Sequence, residues 1–185
     1  VIFFQRWMLF RLMLGAGLIK IRGDACWTDL TCLVYHYETQ PNPHPLSYYI
    51  HHMPEWFHKA GVLFNHFVEL VVPFGLFGPK WVRRVAGVLV VVFQISLILS
   101  GNLSWLNWLT IVMCIPCFDD EMWGFLYKKL RRVLEALGSD DVSSSSKSRY
   151  RTPNKLELLV LLLFLVGGLY LSIGPAKNLF SDRQR

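Results

Sequence analysis

Long apolar runs separated by short polar clusters dominate the chain. The most uniform is Leu156–Ile173, in which Leu158–Ile173 carries no charge. A spanning helix needs about 20 apolar residues, or about 17 at the short end, to cross a hydrocarbon core about 30 Å thick. Val85–Phe118 holds 34 residues without a charged side chain. As one helix it would reach about 51 Å, well beyond that core. A break at Ser100-Gly101-Asn102 divides it into two spans of roughly 16 residues, each about 24 Å long and sufficient for a thin bilayer. Gly61–Phe77 is a further apolar helix, interrupted by Asn65, His66, Glu69 and Pro73. Trp7–Ile21 is the least apolar span, with Arg6 and Arg11 toward one end and Lys20 and Arg22 at the other. The expected fold is all-α, a polytopic helical membrane protein with about five transmembrane helices.

Between the last two spans the pattern changes. Leu126, Leu130, Val133, Leu134 and Leu137 recur at helical spacing, while Lys128, Lys129, Arg131 and Arg132 fill the opposite side. Met122–Leu137 is therefore a basic amphipathic helix, suited to an anionic membrane surface or to packing as an ordinary solvated helix. Gly138–Asn154, with Ser143–Ser146 in a row and Pro153, has the composition of a flexible linker.

Composition sharpens this picture. Of the residues, 53% are hydrophobic and only 17% charged, against about 25% charged in a soluble domain. A soluble enzyme, a disordered chain, collagen and a coiled coil are excluded. Charge also orients the spans: eight Lys/Arg residues fall in Asp119–Lys155 and one in Gly23–Lys59. The positive-inside rule places 119–155 in the cytosol and 23–59 on the lumenal side. The expected organisation is a membrane domain over 1–120 with its lumenal loop 23–59, and a cytosolic helix and Ser-rich linker over 121–155. A last span over 156–174 then leads to a lumenal tail at 175–185. Starting at Val1 and stopping just past a membrane exit, the chain reads as a fragment of a longer protein. The net charge of +6 is accounted for by the cytosolic loop, so no nucleic-acid partner is assigned.

Candidate chemistry concentrates before residue 70. Asn65, His66 and Glu69 lie three and four residues apart and are expected on one helix face. Ionisable groups at membrane depth usually face the bundle interior in pairs. The cluster reads as a hydrogen-bonded clamp between helices, as a polar site or proton relay, or as a wet interfacial face. Five of the six histidines sit in the lumenal loop: His36, His44, His51, His52 and His58. No H-E-x-x-H occurs, and Pro54 interrupts His51-His52-Met53-Pro54-Glu55, so hydrogen bonding is favoured over a metal site. Cys26 and Cys32 are placed to form a disulfide in an oxidising lumen, or to remain free or pair with another chain. Cys114-Ile115-Pro116-Cys117 has C-x-x-C spacing without the βαβ context of a redox motif, and reads as a pair of buried small hydrophobes. Asn102-Leu103-Ser104 is a glycosylation sequon too close to the bilayer to be modified. No nucleophile elbow, P-loop or dinucleotide fingerprint is present.

Several strings are more specific than composition. Arg6-Trp7-Met8-Leu9-Phe10-Arg11-Leu12-Met13-Leu14-Gly15-Ala16-Gly17-Leu18-Ile19-Lys20 precedes Arg22-Gly23-Asp24. Further on come Asp29-Leu30-Thr31-Cys32, His36-Tyr37-Glu38-Thr39-Gln40-Pro41, Asn65-His66-Phe67-Val68-Glu69-Leu70 and Ser100-Gly101-Asn102-Leu103-Ser104. Leu106-Asn107-Trp108-Leu109-Thr110 and Cys117-Phe118-Asp119-Asp120 complete the series. Together they resemble the lipase maturation factor family, and its lipase-acting branch more than the paralogous one. The resemblance implies a multi-pass protein of the endoplasmic reticulum membrane, embedded in its lipid. It would help newly made dimeric lipases of the lipoprotein-lipase class become active and secretable. His36–Pro41 would belong to a functional lumenal loop. No catalytic residue, metal or cofactor is implied, and the number of copies is left open. A distant similarity to the membrane domain of vitamin-K-dependent carboxylase keeps a membrane-embedded enzyme as the alternative, with a transporter behind it.

Overall fold

The computed structural model describes residues 2–40, 42, 44–101, 105–119, 121–124, 127–128 and 155–179. The described residues are almost entirely helical and include no strand. They fall into two compact units, Val1–Phe118 and Asp119–Arg185. Most of the expected amphipathic helix and linker, Pro41 and the sequon at Asn102 lie outside the described residues.

The first unit begins with α1 (Ile2–Gly23), followed by three short helices: α2 (Ala25–Thr28), α3 (Cys32–Thr39) and α4 (Pro45–His51). A continuous helical rod follows, made of α5 (Glu55–His66), a π-helical turn (Phe67–Val71) and α6 (Val72–Gly75). Then come α7 (Lys80–Ser100), α8 (Trp105–Met113) and a 3₁₀ turn at Ile115–Cys117. The rod starts six residues before the expected Gly61, because Pro54 supplies the extended residue that opens a helix there. The π turn has a local cause. Pro73 has no N–H for the carbonyl four residues back, and its ring would clash with that carbonyl. The helix widens just before it, so that Val72 N–H reaches Phe67 O.

The break inside Val85–Phe118 falls after Ser100, as the hydropathy pattern requires, but the two helices are unequal. α7 starts back at Lys80 and runs 21 residues, about 32 Å. Its basic first turn can reach the interface with long side chains while the backbone continues inward. α8 has only nine residues before Pro116 forces the 3₁₀ turn. α1 and α7 are long and apolar enough to cross a membrane, and Trp105–Cys117 and Leu158–Gly174 are shorter apolar helices.

Packing inverts the pattern of a water-soluble protein. Val82, Val85, Val88, Val92, Ile95 and Leu99 form an exposed stripe on α7, while Ala86, Val90 and Phe93 face inward. An exposed stripe of β-branched and aliphatic residues is stable against lipid, not against water. Inside, Leu9 and Met13 of α1 meet Val68, Val72 and Leu76 of the rod, and Val90 and Phe93 of α7. Gly17 permits a close approach of α1 to the rod: a Cβ there would stand 2.7 Å from Leu70 Cδ2 and 2.9 Å from Glu69 Cβ. Small residues at such crossings are the usual means of bringing membrane helices together. The Cys114–Cys117 segment is structural. Both thiols are fully buried, and Arg6 donates from Nε and Nη2 to Pro116 O at 3.0 and 2.7 Å. Arg83 Nε donates to Cys117 O at 3.2 Å. The arginines thus satisfy carbonyls that a helix leaves open at its C-terminal end.

The second unit contains α9 (Lys155–Leu179). Its side chains Leu158, Leu162, Phe164, Val166, Leu169 and Ile173 are exposed and spread apolar surface over all sides of the helix. That is the composition of a membrane span.

Candidate functional site

The polar groups of the first unit collect where α1 and α7 end and α8 begins, beneath a cap formed by α2, α3 and α4. At its centre is Lys20, in the last turn of α1. Its Nζ donates to Asn65 Oδ1 at 2.8 Å and to Glu69 Oε1 at 2.6 Å. Asn65 Nδ2 donates to Glu69 Oε2 at 3.1 Å, so both carboxylate oxygens are held. Asn65 and Glu69 are buried. Lys20 Nζ also lies 4.9 Å over the Trp27 ring, a cation–π contact that strengthens when desolvated. The sequence placed Lys20 only among the charges flanking the first span. Its role had one signal: a cation four residues beyond Ala16 and three beyond Gly17, on the same face as the small residues through which α1 approaches its neighbours.

The expected grouping of Asn65, His66 and Glu69 needs correction. Asn65 and Glu69 are joined, but His66 turns away, and its Nε2 donates to Trp27 O at 2.9 Å. The π turn explains the split. Its wider winding brings i,i+4 partners into line and swings i,i+3 partners apart. His66 therefore anchors α2 to the rod.

The cap is tied down by the loop residues. Cys26 and Cys32 are joined in a disulfide that spans the end of α2 and the start of α3. Asp24 caps α2 by accepting from Cys26 N at 2.9 Å. His44 Nδ1 accepts from Leu46 N at 3.2 Å, and Ser47 Oγ accepts from His44 N at 3.0 Å, opening α4 with a capping box. Gln40 Nε2 and Ser47 Oγ both donate to Ser100 O, at 3.1 and 2.6 Å. His51 Nε2 pairs with Glu38 Oε1 at 2.8 Å, and His58 Nε2 donates to His51 O at 3.2 Å. His52 Nδ1 donates to Tyr48 O at 2.7 Å. These histidines act as connectors, and no group of three metal-ligating side chains converges among the described residues.

The string 36–41 divides by helix face. His36, Thr39 and Gln40 line a cavity of about 430 Å³ together with Lys20, Asn65 and Glu69. Tyr37 is buried against the His58 ring, and Glu38 turns outward to His51. Burial pushes the Tyr37 phenol up, so it stays protonated. Burial, reinforced by the Lys20 ammonium, pulls the His36 imidazole down from its ordinary value of 6.5. The unfolded chain then takes up a proton here before the folded chain does. The stability that neutral His36 contributes is complete above that ordinary value and is lost as pH falls below it toward the lowered folded value. Acidification from roughly pH 7.5 to roughly 5.5 will therefore lower the unfolding temperature of the parent more than that of His36→Gln. Equal losses in thermal scans at the two pH values would rule out this contribution.

The disulfide makes a modest demand. Closing so short a loop, with a sequence separation of 6, restrains the unfolded chain by about 2 kcal/mol. Cys26→Ser/Cys32→Ser should stay folded with a slightly lowered unfolding temperature. Its Trp27 should become more accessible to collisional fluorescence quenchers, because α2 then loses its covalent tie to α3 and keeps only non-covalent contacts such as those of Asp24, His66 and Lys20. Unaltered quenching would show that the disulfide does not hold the cap.

Comparison with known proteins agrees with this architecture. The lipase maturation factor transmembrane domain matches residues 1–125. The chain belongs to the lipase maturation factor family. It is 49% identical to lipase maturation factor 1 of Mus musculus over 184 residues, covering 97% of this chain and 32% of that protein. Its identity to lipase maturation factor 1 of Homo sapiens is 48% over the same share of each chain. Lipase maturation factor 2 of Xenopus tropicalis is 41% identical over 118 residues, 63% of this chain and 17% of that protein. The chain thus spans about a third of the length of the lipase maturation factor 1 relatives it matches. No solved structure matches it. Within this lipase maturation factor transmembrane domain, the Lys20 cluster joins α1 to the rod, and the cap rests on the Ser100 carbonyl.

Proposed function

We propose that this chain is the membrane-embedded part of a multi-pass factor of the endoplasmic reticulum that brings newly made secreted lipases to an active, secretable state. The observation that carries this reading is the 49% identity to a lipase maturation factor 1 over 97% of the chain. Residues 23–59 face the lumen and 119–155 the cytosol, which is supported by the eight-to-one distribution of Lys/Arg between them. The client is a dimeric lipase of the lipoprotein-lipase class, and the action is that of a scaffold without a catalytic step. Lys20 joins α1 to the rod through Asn65 and Glu69, which is what a load-carrying scaffold needs.

The test is a chimera in which this chain replaces the matching segment of mouse lipase maturation factor 1. It is expressed in cells that lack their own factor and secrete a dimeric lipase. The expected outcome is restored activity per unit of secreted lipase mass. A chimera present at normal level that leaves the lipase inactive would refute the assignment.

A further inference from the structure

The cavity beneath the cap is graded. Its upper wall is polar, with Lys20, His36, Thr39, Gln40, Asn65 and Glu69. Its lower wall is apolar, with Leu12, Met13, Ala16, Leu97 and Leu106. Leu12 lies eight residues below Lys20, about 12 Å along α1. Gln94 and Thr110 also line the cavity, with their polar groups already engaged: Gln94 Oε1 accepts from Asn107 Nδ2 at 2.9 Å, and Thr110 Oγ1 donates to Leu106 O at 2.8 Å. A volume of about 430 Å³ falls within the roughly 300–1,000 Å³ of small-molecule pockets, which combine apolar walls with a few convergent polar groups.

The charge balance selects the ligand. Lys20 and Glu69 neutralise each other at 2.6 Å, so an anionic head would bring an uncompensated charge beside Glu69 in a medium that solvates it poorly. A hydroxyl or ester oxygen carries no such penalty. The Lys20 ammonium has three N–H donors, of which Asn65 and Glu69 take two. The Trp27 ring, 4.9 Å from Nζ, also engages the ammonium. Thr39 and neutral His36 stand on the same wall for a hydroxyl to meet.

We propose that this cavity binds a neutral single-chain lipid, its hydroxyl- or ester-bearing head at the Lys20–Asn65–Glu69 cluster and its hydrocarbon chain running down past Ala16 and Met13. The proposal stands apart from the lipase reading, because its test reads lipid labelling and not lipase output.

The experiment uses the full chain in phospholipid nanodiscs, with a monooctanoylglycerol carrying a photoreactive diazirine in its acyl chain, a ligand short enough for the cavity. After illumination, the labelled peptides are mapped by mass spectrometry. The label is expected on Leu12, Met13, Ala16, Leu97 and Leu106 and should be displaced by unlabelled monooctanoylglycerol. Ala16→Trp fills the cavity one turn below Lys20, and should cut this labelling about tenfold, a change of about 1.4 kcal/mol in binding. Leu106→Trp fills it from the opposite wall and serves as the second variant, each being scored only when its unfolding temperature matches the parent. Two outcomes would overturn the proposal: labelling unchanged in a folded filling variant, or labelling confined to outward residues such as Val85 and Val92. Equal or stronger labelling by the same diazirine chain bearing a free carboxylate would overturn the choice of a neutral head.

Discussion

Lys20→Met is expected to destabilise the first unit by about 3–5 kcal/mol, because it leaves the Glu69 carboxylate buried without its cation. The methionine keeps most of the volume and apolar reach of the lysine stem, so the loss is electrostatic. Glu69, only 5% exposed at its side chain, would keep Asn65 alone as a hydrogen-bond donor from this cluster. Steady-state abundance in cells and the unfolding temperature in detergent should both fall sharply. The double variant Lys20→Met/Glu69→Met should recover most of the loss, since replacing a buried ion pair with apolar residues is often neutral or stabilising. The coupling between the two substitutions in a double-mutant cycle should be large and of compensating sign. A single variant as stable as the parent would show that water reaches Glu69 and that the pair does not hold α1 to the rod.

Gly101→Ala is the second large effect. Gly101 has φ of +156° and an extended ψ, a region that costs a side-chain-bearing residue about 1–3 kcal/mol. A Cβ there would also fall inside the side-chain amide of Gln40. The substitution therefore strains the turn and displaces Gln40 from Ser100 O, loosening α3 over the cavity. Gln40→Ala in the same chain relieves the overlap but not the backbone cost. The double variant should lie between Gly101→Ala and the parent in unfolding temperature. Full recovery in the double variant would mean that the overlap, not the backbone, is the whole penalty.

Much of this architecture was legible in the pattern of apolar residues. The break after Ser100 followed from a charge-free run too long for one span, and the places of α1 and α9 followed from their apolar extent, although each helix runs seven residues longer than its expected span, Ile2–Gly23 against Trp7–Ile21 and Lys155–Leu179 against Leu156–Ile173. The unequal lengths of α7 and α8 did not follow, because α7 starts at Lys80 and hydropathy counts Lys80, Arg83 and Arg84 against a span. The helices of the cap were hidden in a stretch that reads as loop, since α2 and α4 depend on the caps at Asp24 and His44 more than on periodicity. In the site, Asn65 and Glu69 were visible as an i,i+4 pair. Their partner was not, because Lys20 is forty-five residues from Asn65 in sequence and resembles any cation at the end of a span. The departure of His66 turns on Pro73, which was visible as an interruption, although its consequence, a π turn four residues upstream, was not.

Two accounts of Lys20 and Glu69 can be separated directly. If the pair is structural, its chemistry is dispensable once the fold is secured. The decisive measurement is the activity per unit mass of secreted lipase in factor-deficient cells expressing the mouse chimera with Lys20→Met/Glu69→Met, normalised to the abundance of the chimera. The scaffold account predicts a specific activity equal to that supported by the unsubstituted chimera. A double variant of normal abundance that still binds the lipase yet leaves it inactive would contradict that account and assign the pair a part in chemistry.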